Sequence, residues 1–129
     1  MSHYHAVVWI DHQKATTWQF NATQQEEKVV HSHDQHQRAH SRRTSHGGHE
    51  TAAELHFFDD VAKALDGVQA ILIIGPAHTK QEFAGHLRTK HPLLGKAIVA
   101  IENADHPTDA QVLSYARKHF PALDHFPEK

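Results

Sequence analysis

Ala70-Ile71-Leu72-Ile73-Ile74 is an unbroken apolar run, and Gly75-Pro76 ends it. Five apolar residues with no polar alternate suit a strand covered on both faces. With Gly67 ahead and Gly75-Pro76 behind, the pattern predicts a strand over Val68–Ile74 in the middle of a sheet. Such a strand requires helices on both sides of it, and the neighbouring sequence supplies them. From Thr51, Leu55, Phe58, Val61, Ala62 and Leu65 follow helical spacing, and Asp66-Gly67 gives a stop. Thr79 with Glu82 reads as a capping box opening a second helix, with Phe83, Ala84 and Leu87 inward and His91-Pro92 at its end. Ala97–Ile101 reads as a second buried strand. Pro107-Thr108 then opens a helix through His119, with Val112, Leu113 and Ala116 inward and Pro121 as the stop.

The N-terminal part has the period of strands. Tyr4–Ile10 is apolar, aromatic and β-branched, and Asp11–Gln13 makes a turn. In Lys14–Phe20, Ala15, Thr17 and Gln19 alternate with Thr16, Trp18 and Phe20. Trp9, Trp18 and Phe20 are expected in the core, not on an RNA-stacking surface. Glu26–His33 is half polar and reads as a third strand near an edge. The order is β-β-β-α-β-α-β-α. It predicts an α/β fold: a mixed five-stranded sheet, built from a three-strand antiparallel meander plus two parallel strands, with three helices. The crossover between the parallel strands should be right-handed. The 129 residues fit one domain spanning 1–129.

His31–Glu50 has no apolar periodicity and contributes little to any core. It carries six histidines, with Arg38, Arg42 and Arg43, and a glycine pair at Gly47-Gly48. Unstructured connections of this length in a compact domain are usually functional or disordered. From His31 to His49 the arginines face one carboxylate, Asp34, although the whole chain has a formal charge of −2. Histidine titrates near pH 6.5, and nearby phosphates favour its charged form, so the segment gains charge when it meets a polyanion. Arginines grip phosphates bidentately and stack on bases, and glycines allow close backbone approach.

Other chemistries are limited by composition. There is no cysteine, so disulfides, thiolate metal sites and cysteine nucleophiles are excluded. No apolar run is long enough for a membrane-spanning helix, and Met1-Ser2-His3-Tyr4-His5 lacks signal-peptide character. A cytoplasmic protein without a membrane partner is expected. His31-x-His33, His33-x-x-His36 and His46-x-x-His49 have metal-ligand spacing, but a flexible segment makes a poor built site, so adventitious affinity and no cofactor are expected. Ser45-His46 lacks the third partner of a triad. Gly75-Pro76 before Thr79 reads as a plain strand-to-helix turn, without the glycine spacing of a nucleotide site. Homo-oligomerisation is not predicted.

Three phrases carry a resemblance: Ala6 to Ala15, Ala70 to Thr79, and Arg42-Arg43-Thr44-Ser45-His46-Gly47-Gly48-His49 between them. Over roughly Tyr4 to Phe120 the chain resembles the central domain of archaeal and eukaryotic class I release factors and of the rescue factor Pelota. It also looks like the stand-alone bacterial proteins of this type described as translation-machinery-associated. The resemblance implies contact with the ribosome or a tRNA, with Arg38, Arg42, Arg43, His46, Gly47, Gly48 and His49 as RNA-binding residues. In release factors a Gln follows the Gly-Gly pair and positions water against the peptidyl-tRNA ester. Here His49 stands in that place, so binding is favoured over hydrolysis. If there is chemistry, His49 is its candidate catalytic residue. The same strand order is similar to the ribonuclease-H-like arrangement, which raises a metal-dependent nuclease using Asp11, Glu54, Asp59 and Asp105. Each of these has a plainer role: Asp11 in a hairpin turn, Asp59 and Asp60 on a solvated helix face, Asp105 ahead of a helix N-terminus.

Overall fold

The computed structural model describes residues 5–20, 24–32 and 52–120. Among these residues five strands form one sheet in the order β3-β2-β1-β4-β5. They are β1 (His5–Ile10), β2 (Lys14–Phe20), β3 (Gln25–His31), β4 (Ala70–Gly75) and β5 (Ile98–Asn103). β2 is antiparallel to both β1 and β3, while β4 is parallel to β1 and to β5. This is the expected meander joined to a parallel pair.

Four helices are present among the described residues: α1 (Ala52–Ala64), α2 (Thr79–Lys90), α3 (Pro92–Ala97) and α4 (Asp109–His119). The short α3 was not expected. Pro92 stops α2 but also stands in the first turn of α3, where a missing N–H costs nothing.

Alternation along the strands divides the core in two. Ala6, Val8, Ile10, Ala15, Ile71 and Ile73 face α1 and α2, meeting Phe57, Phe58, Val61, Phe83 and Leu87. Val7, Trp9, Trp18, Phe20, Leu72 and Ile74 face α4, meeting Val112, Leu113 and Ala116. Trp9, Trp18 and Phe20 are core residues, as their strand positions predict. On the α1 side Gln19 is buried, and its amide donates to the Ala64 carbonyl oxygen at 2.5 Å, satisfying the last turn of α1.

Local chemistry fixes the turns. Asp11 Oδ1 accepts from the backbone N–H groups of Gln13 (2.8 Å) and Lys14 (2.9 Å), closing the β1–β2 hairpin. Gly67, at φ 86°, ends the segment after α1 in a conformation that L side chains rarely adopt. The capping box expected at Thr79 and Glu82 is absent. The chain is already helical at His78, whose carbonyl accepts from Gln81 and Glu82, so Thr79 lies inside the first turn. A reciprocal box forms instead at α4, between Thr108 and Gln111.

β5 also departs from expectation. It runs two residues further, to Asn103, and is only half-buried, with Val99 49% exposed. As an edge strand paired with β4 alone, it lies beyond full cover by the helices.

At Gly75, β4 leaves no room for a side chain beside β1. A Cβ there would collide with the Ile10 carbonyl oxygen, which is backbone and cannot swing away. Gly75→Ala is therefore expected to lower stability by about 1–3 kcal/mol, measured as a shift in urea midpoint. An unchanged midpoint would contradict this packing.

Candidate functional site

β1, β3, β4 and β5 all point the same way, so their carboxyl ends share one edge of the sheet. Open α/β sheets place ligand sites outside such an edge. Here it gathers Asp11, Ser32, Pro76 and Ala104, the residues that follow the four strands. Ser32 is buried, and its N–H donates to the Gln13 carbonyl at 2.8 Å, tying the end of β3 to the hairpin turn. α1 must run back from this edge, because Gly67 delivers the chain to the opposite end, where β4 begins. The described flanks of residues 33–51 therefore both stand at the carboxyl edge.

Trp9 organises the other half of that edge. Its indole N–H donates to the carbonyl oxygens of Asp105 (2.8 Å) and Ala104 (3.2 Å), and its ring lies 5.4 Å from that of His106. This holds the β5–α4 connection against β1. An open depression of about 580 Å³ lies beside it, lined by Asp105, His106, Gln111, Ser114, Tyr115 and Lys118. Its mixed polar lining suits an extended polar surface more than an enclosed small-molecule pocket.

His31 ends β3 and is exposed. His33, His36, Arg38, Arg42, Arg43, His46, Gly47, Gly48 and His49 lie outside the described residues. The four carboxylates considered for a nuclease are not assembled: no three of them converge. Asp11 is engaged by its turn, Glu54 sits in the first turn of α1, and the Asp105 side chain is 88% exposed.

Asp59 is a different case. It is not simply a solvated helix residue. His86 Nε2 lies 2.7 Å and His91 Nε2 2.9 Å from Asp59 Oδ1. The His86 side chain is 5% exposed, against 46% for Asp59 and 32% for His91. The trio joins α1 to α2 and to the corner before α3. These hydrogen bonds, from His91 and then His86, hold the Asp59 carboxyl below the ordinary carboxylate range, against the opposing effect of burial. The two histidines were not singled out from sequence because they are five residues apart and belong to no ligand motif. One signal was available: His86 follows Phe83 by three positions, which turns it toward the buried side of α2.

No family model and no curated protein matches the sequence. Solved structures do match the fold. The Pelota protein of Thermoplasma acidophilum superposes with a TM-score of 0.61 at 16% identity, over 97% of this chain and 35% of that one. An archaeal translation termination factor gives 0.62 at 14% identity, over 92% and 36%. Pelota of Archaeoglobus fulgidus gives 0.62 at 14%, over 95% and 33%. The chain thus has the fold of one region of these proteins and spans about a third of their length.

The Asp59 contacts tie stability to pH. A carboxyl whose folded-state value is depressed stabilises above the unfolded value, and that contribution is lost as pH falls through the folded one. Asp59→Asn is expected to be less stable than the parent at pH 7. The gap should narrow as pH falls below about 4, as read by urea denaturation at each pH. A gap independent of pH would contradict an ionised Asp59 at this junction.

Proposed function

We propose that this chain is a translation factor that binds the ribosome or a tRNA in the cytoplasm. In this reading 1–129 is a single domain, and the segment His31–Glu50 is its RNA-binding element. Arg38, Arg42 and Arg43 hold phosphates. Gly47 and Gly48 let the backbone approach a crowded RNA surface, and His46 and His49 add charge as they meet it. The role is binding, in rescue, hibernation or stress, rather than stop-codon reading.

The observation that supports this most is the fold shared with Pelota and the termination factor over more than nine-tenths of the chain. Two further facts agree with it. The segment joins β3 to α1, so it springs from the carboxyl edge of the sheet. It also concentrates cationic and protonatable groups in a chain whose overall charge is slightly negative. Electrostatic binding to RNA needs local charge, not global charge.

Hydrolysis of peptidyl-tRNA is the second reading. It is favoured by the Gly47-Gly48 pair directly ahead of His49, whose imidazole would position a water. It predicts peptide release on ribosomes, abolished by His49→Ala. The binding reading predicts no release above background.

Replacing both Arg42 and Arg43 with Ala should weaken co-sedimentation with purified ribosomes or tRNA. It should also reduce the dependence of log affinity on log salt by about 2, one per lost phosphate contact. Binding that ignores salt, or an unchanged slope, would contradict this assignment.

A further inference from the structure

Asp59, His86 and His91 converge more tightly than a helix-to-helix tether requires. Both imidazoles direct Nε2 at the same oxygen, Asp59 Oδ1, at 2.7 and 2.9 Å, instead of sharing the carboxylate. The three donor atoms lie within 4.8 Å of one another. Tetrahedral zinc, with bonds of about 2.0–2.1 Å, sets neighbouring ligand atoms about 3.3 Å apart. The two nitrogen-to-oxygen distances need open by only about half an ångström to reach that spacing.

We propose that Asp59, His86 and His91 form a binding site for a divalent first-row transition metal, with zinc the best fit. Two imidazole nitrogens and one carboxylate oxygen are a borderline donor set that suits zinc, copper or nickel, and none of them needs a thiolate. The ligands are carried by helices. His86 lies within α2, buried, with its ring 5.5 Å from those of Phe58 and His91. His91 is fixed at the end of α2 by its N–H donating to the Leu87 carbonyl at 2.8 Å. Asp59 comes from α1, in the same layer. Ligands held by packed elements lose little entropy on binding.

The trio lines an open depression of about 530 Å³, together with His56 and Asp60. Water or one of those side chains can take the remaining coordination position, which matches a site with three protein ligands and one open position. Lys63 and Lys90 also line the depression. Their charge lowers the affinity for a bare cation, and the two carboxylates offset it. A bound ion clamps α1 to the α2–α3 corner and stabilises the folded chain by mass action. The site is independent of the RNA-binding reading and of the histidine spacings in His31–Glu50.

The test must silence those other histidines. In the full chain, without an affinity tag, His31, His33, His36, His40, His46 and His49 are replaced by Gln. This background is titrated with Co²⁺, followed by visible d–d absorption. The expected result is one equivalent bound, displaced by Zn²⁺, with Zn²⁺ raising the melting temperature. Adding Asp59→Asn or His91→Gln should weaken Co²⁺ by no less than the roughly 10- to 100-fold that loss of an outer-shell partner costs. Neither substitution empties the core, because Asn keeps a hydrogen-bonding oxygen and His91 is partly exposed; far-UV circular dichroism checks the fold. No uptake by the background, or equal affinity with and without Asp59→Asn and His91→Gln, would overturn the site.

Discussion

The parallel pairing of β1 with β4, with both faces of both strands out of water, is the constraint on which the rest depends. Ala6–Ile10 and Ile71–Ile74 are buried without exception. A parallel pair cannot be closed by a tight turn, so the chain must leave the sheet and return. Burial of alternate residues on opposite faces then demands a helical layer on each side. α1 and α2 cover one face and α4 the other. The same pairing aligns the carboxyl ends of β1 and β4, and so decides at which edge the connections that follow them leave the sheet.

Imidazole–carboxylate pairs recur where elements meet. His86 and His91 join Asp59 between α1 and α2, while His119 meets Glu102 at 2.7 Å between α4 and β5. The chain has no cysteine and sixteen histidines. Such pairs are directional contacts that order helices against one another and against the sheet without a covalent link. They also place nitrogen and oxygen donors together at one point of the helix layer, which is how a packing contact acquires the donor set of a metal site.

The sheet was legible in the sequence because each strand carried its own signature. Ala70–Ile74 gave an unbroken apolar run, Lys14–Phe20 gave alternation, and the polar half of β3 marked an edge. Events that depend on tertiary position were not legible. β5 is apolar enough for the interior, yet only its rank in the sheet leaves it half-covered. Thr79 and Glu82 had the right spacing for a cap, but the turn after Gly75 starts the helix one residue early. Asp59 read as solvated because its partners come from another helix, 27 and 32 residues on. Periodicity records the face a residue occupies; it does not record what stands opposite.

The proposal that His31–Glu50 is an RNA-binding element is tested most directly by ultraviolet crosslinking in living cells, followed by mass spectrometry of the crosslinked peptides and sequencing of the attached RNA. The predicted result is crosslinks concentrated between Arg38 and Glu50, carrying ribosomal RNA or tRNA fragments. Crosslinks absent from that segment, or confined to other parts of the chain, would contradict it.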